Sequence, residues 1–376
     1  MGEELLFLKV DYRGARGSNA GDDFHELWAV RQALTLLSPD SDLKAVTLEG
    51  VAERDSRGAT PESWDGVDCA LYFGGYDAPE ATSIELLQLK YSAADAQRQW
   101  TIARLVREKQ GRRGSSVIGR LARAWKGIRS ARGEKPGLGL RAVLVTNQPV
   151  NPGVPEALAT AAQGIPDDYV RKPGAQPTAL HRLVYASMLS TNEFAAFAAV
   201  LDTQGSIGSR FKIEEDTLRA ISDWTEMDAR AVADRLQRFV HLRMLPEAAG
   251  ERITRESVLV VFGISDPRAL FPCPLAIRAV PNLVSRTGAR KVRDLLLAGA
   301  QYSCLHGAAG VGKTTALQEI GASLPEGSLL IPFDCYGAGT YLDPSGTNLT
   351  FGALLRGAKL AKTLGSRRYL LLDFIH

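Results

Sequence analysis

The chain has 376 residues, 45% hydrophobic and 23% charged, with 45 Lys and Arg against 42 Asp and Glu. That length holds two or three domains with cores of their own, and that balance excludes a wholly disordered or collagen-like chain. No apolar run is long enough to span a bilayer, and MGEELLFLKVDYRG lacks the basic flank and apolar core of a signal peptide. A cytoplasmic location without membrane contact is therefore expected.

Residues 22–37, DDFHELWAVRQALTLL, place Phe24, Leu27, Trp28, Val30, Ala33, Leu34 and Leu37 at near-helical spacing and predict an amphipathic helix. LKAVTLEGV (43–51), VDCALYFGG (67–75) and SIELLQLKY (83–91) are short, rich in Val, Leu, Ile and Tyr, and bounded by Gly, Asp and Pro, so they read as strands. A basic helical region follows, and LRAVLVTNQPV (140–150) returns to a strand. Helix, three strands, helix and strand predict an α/β core about a mixed sheet over residues 1–150. From Gln97 to Arg141 there are thirteen Lys or Arg against the two acids Glu108 and Glu134. Such a surplus suits a polyanion such as nucleic acid, although a solvated helix face has the same composition.

Beyond the Pro- and Gly-bearing stretch that begins at 151, apolar residues recur at three- and four-residue intervals and predict a helical connector over 151–265. Proline-spaced residues from DPRALFPCP onward read as a linker over 266–298. QYSCLHGAAGVGKTTALQEIGASL reads as strand, glycine loop and helix, the opening of a P-loop α/β domain over 299–376. The cysteines Cys69, Cys273, Cys304 and Cys335 lie far apart with no C-x-x-C pair, so they are expected to be small buried hydrophobes rather than a disulfide framework or zinc site.

Gly307, Gly310, Gly312, Lys313 and Thr314 satisfy G-x-x-x-x-G-K-[ST], with Thr315 following. The glycines let backbone N–H groups converge on phosphate oxygens, Lys313 neutralises the β and γ phosphates of ATP, and the Thr314 hydroxyl ligates Mg²⁺. RRYLLLDF ends a hydrophobic strand on Asp373, which suits a Walker B carboxylate that positions the metal. A P-loop sheet needs more parallel strands than these residues supply. The sequence thus reads as the N-terminal part of a larger protein, without ATP hydrolysis of its own.

Two pieces of the first domain point to chemistry: Asp65-Gly66-Val67-Asp68 at the start of one strand, and Gln88-Leu89-Lys90 near the end of the next. A metal-dependent phosphodiesterase needs a carboxylate for Mg²⁺, a second oxygen ligand, and a cation to stabilise developing charge. Residues two apart on a strand share a face, so Gln88 and Lys90 point the same way, and an adjacent strand can bring Asp68 beside them. Glu26 on the preceding helix and Glu49 on the strand before could reach the same cluster. The same Q-L-K also suits the polar face of an edge strand.

GSNAGDDFHELWAVRQAL, LKAVTLEGV, DGVDCALYFGG and IELLQLKYS, in that order, resemble the DNA-endonuclease domain of the CD-NTase-associated effector nucleases, a restriction-endonuclease-like (PD-(D/E)xK) fold. The resemblance covers residues 15 to about 150. Similar domains front many antiviral STAND NTPases, ahead of a P-loop module. It implies a Mg²⁺-dependent endonuclease for double-stranded DNA that assembles into a homo-oligomer on activation. In that pattern Asp68 is the main metal ligand, Gln88 takes the second ligand position where most relatives carry a carboxylate, and Lys90 is catalytic. Asp65 could exchange roles with Asp68, and Glu26 fits the helix glutamate of some members. The alternatives are a nucleotide-binding signalling protein with an inactive N-terminal adaptor, and a DNA-binding module that does not cut.

Overall fold

The computed structural model describes residues 15–38, 41–57, 60, 63–132, 139–165, 176–225, 227–264, 282, 284–300, 303–308 and 310–325, with the strands 328–334, 341–342, 348–349 and 367–373. The chain divides into two units, one of residues 1–36, 40–219 and 230–261, the other of 37–39, 220–229 and 262–376.

The first unit opens with helix α1 (Ala15–Thr35), then β1 (Leu43–Leu48), a short α2 (Glu53–Ser56), β2 (Cys69–Phe73), β3 (Ser83–Lys90), a short α3 (Ile102–Leu105), α4 (Val117–Arg132) and β4 (Gly139–Thr146). The helix and four strands expected from the sequence are all present. They continue into α5 (Gly153–Ala162), α6 (Ala179–Ser187), α7 (Thr191–Ala198), β5 (Leu201–Gln204), α8 (Arg210–Ser222), α9 (Ala229–Arg243), β6 (Ile253–Thr254) and α10 (Arg255–Val261). The fold is mixed α/β. Its six-stranded sheet runs β5-β4-β3-β2-β1-β6, with β3, β4 and β5 mutually parallel and the other neighbours antiparallel.

A parallel pair cannot be closed by a hairpin, so β3 reaches β4 through a crossover that carries α4. In α4 the residues Ile118, Leu121, Ala122, Trp125 and Ile128 recur at helical spacing and are all buried. They pack on one sheet face with Ile84 and Leu86 of β3 and Ala142 and Leu144 of β4. Leu87 and Leu89, one residue out of phase, are buried on the other face. Being covered on both sides, β3 carries apolar residues on both faces.

The expected division at residue 150 does not fall between packing units. Strand β5 pairs with β4, β6 pairs with β1, and Leu158, Leu183, Phe194 and Phe197 of α5, α6 and α7 join the core that covers the sheet. LDTQ and IT are too short to carry a strand periodicity of their own, and the helices between them dominated the pattern.

In the second unit α11 (Thr287–Leu297) and α12 (Lys313–Ala322) enclose a small core of Ala289, Ala316 and Ile320, with Val292, Leu296 and Leu305 against it. Strands β7 (Ser328–Asp334), β8 (Tyr341–Leu342), β9 (Asn348–Leu349) and β10 (Arg367–Asp373) follow, and β10 pairs parallel to β7 with Asp373 opposite Asp334. Helix α11 replaces the later part of the expected linker, because Ala289, Val292 and Leu296 supply a helical face that the upstream prolines obscured. Most of the earlier part, 265–281, lies outside the described residues. The strand expected ahead of the glycine loop is not formed over 303–308, which have no regular structure and no ladder partner among the described residues. Cys69 is buried as expected, whereas Cys304 is exposed, and Cys273 and Cys335 lie outside the described residues.

Candidate active site and nucleotide loop

Asp68 stands one residue ahead of β2, where its backbone N–H donates to Leu87 O of β3 at 2.9 Å. Its side chain then takes over the ladder: Asp68 Oδ2 accepts from the Leu89 N–H at 2.6 Å, where another strand residue would offer a carbonyl. Lys90 Nζ lies 3.4 Å from the same Oδ2 and donates to Leu89 O at 2.8 Å. The structure thus brings Asp68 and Lys90 together at the end of adjacent strands. No hydrogen bond among the described residues engages Asp68 Oδ1.

Gln88 lies between them in sequence on β3, facing the α4 side with Ile84 and Leu86. It is fully buried, and among the described residues neither its Nε2 nor its Oε1 has a hydrogen-bond partner. The edge-strand reading of Q-L-K fails here: β3 is third in the six-strand order, so this face is interior. Buried amides are ordinarily bonded, and an orphan of this kind calls for a reason.

The lysine is held between opposing effects. Burial pushes the Lys90 ammonium below the ordinary lysine range and the Arg120 guanidinium adds to this, while Asp68 pulls it back up. Arg120 comes from α4, which presses against the turn before β2. A Cβ at Gly66 would lie 2.6 Å from the Arg120 Cβ and 2.8 Å from its carbonyl carbon, so only glycine permits this approach. Arg120 Nη1 also donates to Asp65 O at 3.3 Å. Asp65 is exposed, and no bond joins it to Asp68, Gln88 or Lys90 among the described residues.

Helix α1 contributes His25 rather than Glu26. His25 Nε2 donates to Leu89 O at 3.2 Å and lies 3.9 Å from Asp68 Oδ2, with Nδ1 3.9 Å from Glu49 Oε1. Burial draws the imidazole down, but the Glu49 and Asp68 carboxylates outweigh it and hold its pKa above the ordinary value. Glu26 instead accepts from Gln237 at 2.8 Å and bonds His241 Nδ1 at 2.7 Å, both on α9. Successive helical residues point about 100° apart, so a position that serves the site excludes its neighbour. The HE pair in the sequence offered both, and only the helix phase separates them. Glu49 stands at the rim of the cluster, at a left-handed φ of 51°.

Among the described residues no three His, Cys, Asp or Glu side chains converge as a metal site. Asp68 and Gln88 nonetheless fit a hard cation: one carboxylate oxygen and one unbonded amide oxygen, with water and substrate phosphate completing the shell, is an ordinary set for Mg²⁺.

In the glycine loop, Gly310 and Gly312 adopt φ of 78° and 81°, which turn the backbone before α12 starts at Lys313. Thr314 and Thr315 follow in its first turn, so N–H groups at the positive end of the helix dipole face the loop. Lys313 Nζ curls back to Gly307 O and Ala308 O, both at 3.0 Å. Arg286 Nη1, ahead of α11, donates to Val311 O and Gly312 O at 3.0 and 2.9 Å. Asp373 ends β10, and its side chain lies outside the described residues.

No protein-family model matches the chain, and no curated protein sequence matches it. Among solved structures, the Acinetobacter baumannii Cap4 SAVED/CARF-domain containing receptor with the cyclic trinucleotide 3'3'3'-cAAA is similar at a TM-score of 0.32 and 10% identity. The match covers 82% of this chain and 60% of that receptor, and a likeness of this degree carries no argument here. No helix among the described residues is long and apolar enough to cross a membrane.

Proposed function

We propose that the first unit is a Mg²⁺-dependent endonuclease for double-stranded DNA, and that the P-loop unit is a STAND-type ATP-binding switch that controls it within an antiviral defence protein. The observation that supports this reading best is the meeting of Asp68 and Lys90 on the strand that carries a buried Gln88 amide with no hydrogen-bond partner among the described residues. A structural ion pair needs no such amide. A metal-binding edge does, because a cation would use the Gln88 oxygen that the fold leaves unbonded. In this reading Asp68 and Gln88 hold Mg²⁺, which when bound polarises the scissile phosphate and lowers the pKa of a water. Lys90 offers its ammonium to the charge that develops on the phosphate oxygens. His25, hydrogen-bonded through Nε2, orients the Leu89 carbonyl and the Asp68 carboxylate.

The full chain, brought together through a fused oligomerising tag, is expected to nick plasmid DNA in Mg²⁺ and to stop in EDTA. Asp68→Asn keeps an acceptor for the Leu89 N–H but removes the charge, and should lower cleavage by on the order of 10²-fold or more. Undiminished cutting by this variant would remove Asp68 from the chemistry, and absence of Mg²⁺-dependent cutting by the oligomerised parent would leave the adaptor reading. For the switch, Lys313→Ala is expected to weaken ATP binding, measured by isothermal titration, through loss of the charge facing the β and γ phosphates. Equal affinity in the parent and the variant would refute the ATP assignment.

A further inference from the structure

The basic surplus between 97 and 141 is not all available to a ligand. Lys126 is paired with Glu193 at 2.8 Å, and Arg141 bridges Glu85 and Asp202 at 2.6 and 2.9 Å. Arg104 lies 3.8 Å over the Trp100 ring and donates to Gln148 Oε1 at 2.8 Å. These side chains hold the fold. The loop 107–115 is different.

This loop is fixed by its own polar groups. Lys109 and Arg112 form an isolated antiparallel bridge, and Gly111 at φ 74° makes the tight turn between them. The Ser115 hydroxyl accepts from Lys109 N at 2.7 Å and donates to Arg112 O at 2.6 Å. The one acid, Glu108, is turned inward, accepting from Gly114 N at 2.7 Å. What remains outside is cationic: Arg107, Lys109, Arg112 and Arg113 are exposed, and among the described residues Lys109, Arg112 and Arg113 join no ion pair.

Beside this tip, α6 ends on two apolar side chains that stand in solvent, Tyr185 at 62% and Met188 at 52% exposure. The Arg113 guanidinium lies 4.9 Å over the Tyr185 ring. The tip is also tied to the candidate active site. Arg123 of α4 donates to Gly114 O at 3.2 Å, and one turn earlier on the same helix Arg120 reaches Asp65.

We propose that the tip Lys109–Arg113, with Tyr185 and Met188, is a contact surface for the backbone of duplex DNA, placed so that a strand running along α4 enters the Asp68–Lys90 site. The inference rests on the endonuclease reading for the identity of its ligand, but its chemistry is binding and not cleavage. Duplex DNA presents one phosphate charge per about 1.7 Å of axis, which rewards a preorganised row of cations with no internal acid to compete. A guanidinium stacked on a tyrosine is held flat, and an exposed apolar side chain next to it suits sugar faces in a groove.

The test measures binding of a labelled mixed-sequence duplex by fluorescence anisotropy across a NaCl series, with the full chain in EDTA so that metal-dependent cutting is suppressed. Lys109→Ala combined with Arg112→Ala is expected to weaken binding alike for unrelated sequences, and to flatten the salt dependence by roughly two logarithmic units per log unit of salt, about 0.9 per lost phosphate contact. Arg112→Glu should weaken it further, and Tyr185→Ala should weaken it without altering the slope. Lys212→Ala, an exposed lysine on α8, is the control. Variants of the loop that bind like the control would overturn the surface, as would equal affinity for an RNA duplex of the same sequence. Loop-dependent binding combined with Asp68-independent cleavage would instead overturn the endonuclease reading and leave the surface standing.

Discussion

Lys90→Ala is expected to reduce DNA cleavage by on the order of 10²- to 10³-fold while changing DNA binding very little. On the proposed reading the ammonium would be one phosphate contact among many for binding, but among the described residues it is the only lysine charge at Asp68, so its loss would fall on the transition state. Its removal also leaves Asp68 Oδ2 with the Leu89 N–H as its remaining near donor. The geometry of the carboxylate is therefore retained, and loss of rate will not reflect a collapsed turn. The measurement is plasmid nicking by the oligomerised chain alongside duplex binding. Cleavage within threefold of the parent at equal folding would refute the role of Lys90.

The sign of the pH dependence follows from the same environment. With its pKa held below the unfolded value, chiefly by burial, Lys90 binds fewer protons folded than unfolded in the window between the two. Stability rises with pH through that window in the parent. Lys90→Ala should lack this rise.

Gln88→Met is expected to stabilise the protein and to abolish cleavage together. The two buried amide atoms without a bonded partner cost on the order of 1–3 kcal/mol, and methionine fills nearly the same volume without them. The midpoint of urea unfolding should therefore move up with an unchanged slope. If the amide oxygen is a metal ligand, Mg²⁺ should at the same time lose its effect on cutting. A fall in the midpoint would show that Gln88 is satisfied in solution and structural. A rise with cleavage intact would show that it is merely an unfavourable core residue. Only the opposed pair of outcomes, greater stability and lost cutting, marks a position held for chemistry.

The strands that build the site were legible because each is a block of Val, Leu, Ile or Tyr bounded by turn residues. Strand alternation put Gln88 and Lys90 on one face with Asp68 able to reach them from the next strand, while their roles were only what the resemblance implied. The state of Gln88 could not, because its burial depends on β4 and β5 lying beyond β3, and β5 is a four-residue LDTQ whose pairing is a tertiary fact. Helix phase misled in the same way: His25 and Glu26 are adjacent letters, and only the docking of α1 and α9 decides that one meets Asp68 and the other meets His241. The turn at Gly310 and Gly312 and the helix after it were legible, since their conformation is local, whereas the strand expected ahead of them is not formed over 303–308. The loop 107–115 was visible only as a charge surplus, because which cations are engaged internally depends on partners as distant as Glu193 and Asp202.

The contact at Gly66 leaves no clearance between α4 and the turn that carries Asp68. Parts that touch without slack move together, so a force applied at one is felt at the other with almost no lost travel. On the proposed reading, a strand that gripped the loop 107–115 would pull on the helix through Arg123, which bonds Gly114 O, and the pull would reach the turn that carries Asp68. Substrate engagement and alignment of the proposed reacting groups would then be one displacement. A side chain introduced at residue 66 would act as a spacer in this linkage, altering cutting even with every reacting group still present.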